Sequence, residues 1–419
     1  LSIAGNALST ANSAAYTLSD FGLTGAADEP TLDEMLNWMR GDDTVRDEDG
    51  NPATTVRYSM GDPLHSRPAA IVYGGTAASP EAVIFSATND GYVHAIDGAT
   101  GGELWAFIPK ELLPRMARLY FDPAAKYKQY GVDGNIVPVV KDVDQDGTIE
   151  AADGDFVRII FGMRRGGSTY YALDVTDKNA PKLMWQRTLT EGGQSWSTPI
   201  VTRMDIDTTA VPSFNADKAV VVIGGGYDPV HDTTDHPGPA DAAGAGIHFL
   251  DLVSGQTLWR GGSVTGATKV FSNMNWSMDR AFATEIRVAD LNGDRFADRM
   301  YAADMGGQIW RFDIVNGSAP AALVDGGVIA QLGAEGLGSP TASDTRRFYN
   351  SPDISVFRDP LQGRRYISIA IGSGYRAHPF DVSAADRFYS LRDPNVFGRL
   401  DQTAYDNYSI ITEADLVEV

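Results

Sequence analysis

Residues Ala289 to Asp313 read ADLNGDRFADRMYAADMGGQIWRFD, and the opening turn carries oxygen-bearing side chains at a spacing that suits one cation. A hard divalent ion such as Ca²⁺ takes six to eight oxygens. A loop with side-chain oxygens at positions 1, 3 and 5, a backbone carbonyl at 7 and an acid at 9 wraps them around one point. Asp290, Asn292, Asp294, the Phe296 carbonyl and Asp298 fall at those positions. Uncompensated, three carboxylates in one turn repel; a doubly charged guest converts the repulsion to attraction and fixes the turn. Position 6 is Arg295 where an EF-hand has glycine, and position 12 is Tyr301. Strand-like sequence follows, so a loop between strands is expected, not a helix-flanked hand.

A second stretch, DVDQDGTIEAAD, keeps the EF-hand pattern more closely. Asp142, Asp144 and Asp146 stand at 1, 3 and 5, Gly147 at 6, the Thr148 carbonyl at 7, Glu150 at 9 and Asp153 at 12. Aspartate at position 12 is shorter than the usual glutamate. The alternative for both loops is a set of ion-free Asx-turns joining strands. Asp47, Glu48 and Asp49 lack the alternate spacing and read as a solvated charge run. Mg²⁺ suits such loops less well, because it demands a tight octahedron and keeps its waters. Zn²⁺ would need His or Cys; the chain has no cysteine, and His231, His236 and His248 lack the i, i+4 spacing of a helical zinc pair. No nucleophile elbow, Walker loop or H-E-x-x-H helix is present. The GGGYD run at 224–228 follows a strand, but no amphipathic helix follows it, so close packing or a bulge is expected there instead of a phosphate cradle.

The elements that must position these loops repeat. GYVHAIDGATGGELW, STYYALDVTDKNAPKLMW and GIHFLDLVSGQTLW each read as strand, tight turn, strand; GQIWRFDIVNGSAPAALV and GYRAHPFDVSAADRFYSL follow in weaker form. Aligning Asp97, Asp174, Asp251, Asp313 and Asp381 gives spacings of 77, 77, 62 and 68 residues. A further pair of apolar runs precedes each unit, so there are five recognisable units of four strands, the signature of an all-β protein of β-propeller type. The run AVVVIGG has no polar alternation and must be covered on both faces. The longest insertion, Gly225 to Gly246, is rich in Pro, Asp and Gly and is expected as a surface loop. Ahead of the repeats, Leu32, Met35, Leu36 and Met39 recur at helical spacing behind a Thr31/Glu34 capping box, with Gly41 at the stop. Residues 1–55 are therefore expected as a peripheral segment with one short helix, and 56–419 as the propeller.

The chain has 419 residues, 43% hydrophobic and 10% aromatic, enough for a packed core. Its net charge of −21 disfavours nucleic acid and anionic membrane surfaces, and no run is long and apolar enough for a membrane helix. The first residue is Leu1, with no secretion signal behind it, so the chain reads as a fragment of a longer protein.

WMRGDD, YSMGDPLHSRPAAIVYGG, NDGYVHAIDGATGGELWAFIP and ADLNGDRFADRMYAADMGGQIWRFDI together resemble the C-terminal domain of the PilC/PilY family, type IV pilus biogenesis factors and tip-associated adhesins. The resemblance implies a modified seven-bladed propeller with quinoprotein-like repeats, exposure at the bacterial cell surface or pilus tip, and pilus components as partners. It also implies a calcium site whose occupancy regulates pilus extension against retraction, carried by Asp290, Asn292, Asp294, the Phe296 carbonyl and Asp298. The second loop is not part of that pattern and rests on spacing alone. Arg40-Gly41-Asp42 resembles the integrin-binding tripeptide ascribed to some members, although the same residues suit a helix end. The rival class is a pyrroloquinoline-quinone dehydrogenase, to whose propeller repeats GYVHAIDGATGGELW is similar. A third reading is a scaffold that calcium merely staples.

Overall fold

The computed structural model describes residues 6–45, 56, 60–123, 128–234, 238, 240–263, 266–335 and 337–418. Five sheets form among them. The first runs β1 (Ala69–Thr76), β2 (Ser79–Ala87), β3 (Val93–Asp97) and β4 (Glu103–Phe107) in sequence order. The second runs β5 (Ile136–Lys141), β6 (Phe156–Gly162), β7 (Thr169–Asp174) and β8 (Lys182–Thr188). In the third, β9 (Ile200–Arg203), β10 (Ala219–Gly224), β11 (Ile247–Asp251) and β12 (Thr257–Gly262) gain a short parallel strand, β13 (Lys269–Val270). The fourth runs β14 (Arg287–Ala289), β15 (Arg299–Ala303), β16 (Gln308–Ile314) and β17 (Val324–Gln331). The fifth has three strands, β18 (Asp353–Arg358), β19 (Arg365–Gly372) and β20 (Phe388–Asp393), after which β21 (Ile411–Thr412) pairs parallel with β17.

The chain divides into two compact units, residues 1–166 with 171–184, and 167–170 with 185–419. The first unit has one core under its sheets, from Ile71, Phe85, Val93, Ile159 and Phe161, and another where helix α1 (Leu32–Met39) packs Met35, Leu36 and Trp38 against Leu113, Met116 and Tyr120. The Thr31/Glu34 capping box forms as expected. At the other end, Gly41 takes φ +106°, and its N–H donates to Trp38 O while Asp42 N–H donates to Asn37 O, the double bond of a Schellman stop. The expected boundary near residue 55 falls at residues outside the described set. The second unit packs Val220, Val222, Phe249, Trp259, Trp310 and Phe312 in one core and Ile329, Ile367, Ile369 and Leu391 in another.

Asp97, Asp174 and Asp251 work as turn makers, whereas Asp313 is held by Arg299 and Arg311. Asp97 Oδ1 accepts Thr100 N–H at 2.8 Å, and Asp251 Oδ1 accepts Ser254 N–H at 2.7 Å, closing the turns between third and fourth strands. All six residues of β10 are buried, as a run apolar on both faces requires.

Two expectations are corrected. Asp381 is not the turn residue of the fifth unit: it lies between β19 and β20, where it makes a local Asx-turn to Ser383 N–H. The equivalent third strand is β20, and its terminal aspartate is Asp393. The Gly225–Gly246 insertion is also not simply a surface loop. Gly225, Gly226, Tyr227, Asp228 and His231 are buried, and His231 Nε2 meets Asp241 at 2.9 Å. The backbone approaches itself too closely for side chains: a Cβ on Gly225 would lie 2.3 Å from Gly244 O, and one on Gly224 2.5 Å from Phe282 O. Close packing is thus the role of GGGYD.

Candidate metal centre

Both acidic loops occupy the same place, joining the first to the second strand of a sheet: 142–155 links β5 to β6, and 290–298 links β14 to β15. They are also hydrogen-bonded alike. The carboxylate at position 1 accepts the N–H groups of positions 4 and 6, Gln145 and Gly147 on Asp142 at 2.7 and 2.9 Å, Gly293 and Arg295 on Asp290 at 2.7 and 2.8 Å. Position 3 accepts from 5, at 3.4 Å for Asp144 and 2.8 Å for Asn292, and position 5 accepts from 7, at 2.7 Å for Asp146 and 2.8 Å for Asp294. Positions 4 and 6 are left-handed in both, Gln145 at φ +61° and Gly147 at +84°, Gly293 at +81° and Arg295 at +71°. The glycine has exchanged places between the loops, so Arg295 at position 6 does not change the backbone path. It does hold a conformation that costs a non-glycine residue about 1 kcal/mol.

Position 8 then docks the loop. Ile149 N–H donates to Tyr73 O on β1 at 2.9 Å, and Ala297 N–H donates to Arg203 O on β9 at 2.8 Å. Each loop is thereby tied to the first strand of the sheet that precedes its own.

The closing acids differ. Asp298 Oδ2 accepts Leu291 N–H at 2.7 Å and Asn292 N–H at 3.2 Å, while Asn292 Nδ2 bridges Asp294 Oδ2 at 3.1 Å and Asp298 Oδ1 at 3.3 Å. Phe296, whose carbonyl is at position 7, is held by its ring against Arg203 at 4.7 Å and Lys218 at 5.7 Å. In the other loop the position-2 N–H, from Val143, goes to Asp155 Oδ1 at 2.8 Å, and Glu150 N–H goes to Asp155 Oδ2 at 3.0 Å. Asp155, buried and two residues beyond Asp153, is the closing residue that the sequence pattern missed; its signal was the acid directly before the second strand, where Asp298 also stands. Glu150 and Asp153 are exposed and face each other.

Electrostatics separate the loops. Burial opposes ionisation of Asp290, yet the N–H groups of Gly293 and Arg295 hold it below the usual aspartate range. The Asp146 N–H pulls Asp144 down, but burial and the charges of Asp146 and Asp142 raise it on balance. The Asp153 charge raises Glu150, and the Glu150 and Val143 N–H groups lower Asp155. Two oxygens on one Ca²⁺ lie no farther apart than about 5 Å. Carboxylate oxygens of Asp142, Asp144 and Asp146 lie within 4.8 Å of one another, the one acidic trio so gathered among the described residues. The donor set in both loops is all hard oxygen, which fits calcium.

Among the described residues, His231 and His248 have separate surroundings. His231 pairs with Asp241, and His248 is buried with its pKa pushed down to about 3 by desolvation and by Arg260. His236, like Asp47, Glu48 and Asp49, lies outside the described residues. Arg40 and Asp42 are exposed on either side of the helix-stopping Gly41.

Against known proteins, the model of the PilY1 beta-propeller domain matches residues 69–332, which contain both loops and the first four sheets. The chain belongs to this PilY1 propeller family. The type IV pilus biogenesis factor PilY1 of Pseudomonas aeruginosa strain PAO1 is 31% identical over 241 residues, 56% of this chain and 17% of its own length. A PilY1 homolog of Xylella fastidiosa strain Temecula1 is 24% identical over 442 residues, 96% of this chain and 31% of its own length. The chain therefore spans less than a third of these curated relatives. The crystal structure of the Pseudomonas aeruginosa PilY1 C-terminal domain aligns with TM-score 0.50 and 23% identity over 80% of this chain and 61% of that one, which shows the shared β-propeller fold. A quinohemoprotein alcohol dehydrogenase from Comamonas testosteroni reaches only TM-score 0.33 at 13% identity, too low to bear on the rival class.

Proposed function

We propose that this propeller serves type IV pilus biogenesis at the bacterial cell surface, with pilus components as partners. Both strand-linking loops are calcium sites, and the 290–298 loop regulates pilus extension against retraction. Membership of the PilY1 family supports the pilus role. The observation that carries the calcium reading is the shared architecture of the loops: carboxylates at positions 1 and 5 with the same N–H partners, matched left-handed residues, and a position-8 N–H docked on the preceding sheet.

Asp290, Asn292, Asp294, the Phe296 carbonyl and Asp298 would hold one ion. Asp142, Asp144, Asp146, the Thr148 carbonyl and Glu150 would hold the other, with Asp153 and Asp155 alongside. The ion supplies positive charge where the acids converge. The chain's own residues carry the consequence outward. Ala297 donates to Arg203 O on β9, its carbonyl accepts Asn316 Nδ2 at 2.9 Å, and Asp298 O accepts Ile314 N–H at 2.8 Å. Ordering the loop thus stiffens the seam between the third and fourth sheets, a two-state element that pilus machinery can read. Exposed Arg40 and Asp42 provide an accompanying host-adhesion role, tested by integrin binding of Asp42→Glu.

Metal analysis of the purified chain is expected to give two calcium ions, and one for Asp298→Lys, which places an ammonium in the loop. Pilus counts in a strain carrying that substitution are expected to change. Unchanged counts with one ion lost would reduce calcium to a staple, and dye-linked activity after reconstitution with pyrroloquinoline quinone would move the protein to the dehydrogenase class.

A further inference from the structure

The fifth sheet stops one strand short. In the other four, the third strand is covered by a fourth, namely β4, β8, β12 and β17, whereas β20 has no such cover among the described residues. The reason lies in what captures the chain after Asp393. Buried Arg299 donates to Asn395 O, at 2.5 Å, to Val396 O, at 3.0 Å, and to Gly398 O, at 2.7 Å, and Arg311 also donates to Gly398 O, at 2.8 Å. These bonds draw the segment to the fourth sheet, where α2 (Gln402–Asp406) and β21 pack on β17.

The register shows what is left at the edge. Ser373 N–H donates to Arg387 O at 2.9 Å, and β19 pairs antiparallel with β20 through Ile371↔Tyr389, Ile369↔Leu391 and Ile367↔Asp393. Hydrogen-bonded pairs alternate in an antiparallel ladder, so Tyr389, Leu391 and Asp393 point their backbone groups at β19. The N–H and C=O groups of Phe388, Ser390 and Arg392 point away from the sheet. An edge of this kind is a template for another strand.

Beside it lies a face of exposed aromatic and arginine side chains. Phe388 is 74% exposed and Phe357 51%. Phe357 stacks on Tyr366 at 6.0 Å, the Arg392 guanidinium sits 4.7 Å from the Tyr366 ring, and Arg365 lies 5.8 Å from Phe397. Residues 353–400 contain seven arginines against five aspartates and no Lys or Glu, a net +2 in a chain of −21. Arginine and aromatic side chains together characterise the centres of protein interfaces.

We propose that the β20 edge and its arginine–aromatic face take an acidic, extended strand from a partner protein, which completes the fifth sheet by β-augmentation. Outward backbone groups call for a polypeptide, which a lipid surface cannot match. Arg392 reaches Asp359 at 3.5 Å and Arg387 reaches Glu413 at 3.2 Å, and the net positive charge that the stretch keeps favours an acidic strand and opposes pairing of two copies through the same edge. The site is independent of the calcium loops.

The test uses a labelled synthetic peptide of alternating valine and glutamate, read by fluorescence anisotropy, with a valine–lysine peptide as control. The acidic peptide is expected to bind and the basic one not. Ser390→Pro removes an outward N–H without touching the β19 ladder and is expected to weaken binding about tenfold with an unchanged melting profile. Arg392→Glu is expected to weaken binding and to lower its salt dependence. Equal binding of both peptides, or unchanged affinity in Ser390→Pro, overturns the proposal. So does self-association abolished by Ser390→Pro, or hydrogen-exchange protection of the Phe388, Ser390 and Arg392 amides in the full-length protein without peptide. The first would assign the edge to a second copy, and the other to a strand of the same polypeptide.

Discussion

Asparagine in place of Asp298 separates calcium binding from the loop's own hydrogen bonds. Asp298 Oδ2 accepts the Leu291 and Asn292 N–H groups at 2.7 and 3.2 Å, and an amide oxygen can keep that acceptor while the charge is lost. Asp144→Asn is the companion change, since Asp144 accepts only a long 3.4 Å bond from Asp146 N–H. The two loops lie in different compact units, so their effects should add. Free calcium at a hundredfold excess over its dissociation constant stabilises each loaded unit by about 2.7 kcal/mol, or roughly 5 to 10 °C in Tm. The expected pattern is a calcium-dependent gain in both units of the native chain, in the first unit alone for Asp298→Asn, in the second alone for Asp144→Asn, and in neither for the double variant. In chelator, the Asp298 variant should stay within about 1 kcal/mol of the parent. Hydrogen exchange with peptide-level resolution at β5–β6 and β14–β15, with and without calcium, reads each unit separately. An equal calcium gain in parent and double variant would refute the reasoning, as would an Asp298→Asn loss of the same size in chelator and calcium, which would make the side chain a cap and nothing more.

Acidification should empty the loops in order. Asp144 and Glu150 are raised and Asp290 is lowered, so as pH falls into the carboxylate range the 142–155 loop is expected to release calcium first, as seen by calorimetry at stepped pH. Burial raises Asp304 to about 7, against the N–H groups of Trp310, Gln308 and Gly306 that favour its charge. Because this folded value lies above the unfolded one of about 3.9, the folded state holds the extra proton in between; the second unit should gain stability as pH falls from 7 toward 4, with a flatter slope in Asp304→Asn denaturation curves. Asp313 accepts Arg299 and Arg311 at 2.8 Å each and Tyr405 OH at 2.6 Å in a buried cluster, so urea unfolding of Asp313→Asn should show a loss of about 3–5 kcal/mol.

What was legible in the sequence was what local chemistry dictates. The capping box and apolar spacing specify α1 within a dozen residues, and Asx-turn geometry specifies positions 1 to 7 of both loops, because each bond there spans a few residues. The Asp-terminated third strands were readable for four sheets and failed in the fifth. Asp381 sits in a genuine Asx-turn with strand-like neighbours, and only the pairing of β20 with β19 identifies Asp393 as its counterpart. Asp155 was hidden by an intervening 3₁₀ turn, Ala151–Asp153, which carries the chain past the expected closing position before it returns. The position-8 docking bonds join residues 76 and 94 apart in sequence, from Tyr73 to Ile149 and from Arg203 to Ala297, so no local pattern announces them.

A third first-to-second-strand connection sharpens the case for external charge. Between β9 and β10 the chain reads MDIDTTAVPSFNADK, with Asp205 and Asp207 opening it as Asp142 and Asp144 open the 142–155 loop. Here Asp207 caps its own turn through Thr209 N–H at 2.9 Å, and the Asp205 carboxylate pairs with the ammonium of Lys218. This connection meets its leading carboxylate with a cation of its own. The other two add acids at positions 5 and beyond and satisfy them with backbone N–H groups and, for Asp294 and Asp298, the neutral amide of Asn292. N–H dipoles can lower a carboxylate's pKa, but they leave its net charge in place, and Asp144 is raised despite the Asp146 N–H. On the calcium reading proposed above, a dissolved divalent ion adds compensation from outside the chain, so the seam each of the two loops docks is expected to respond to calcium more than the lysine-paired seam does.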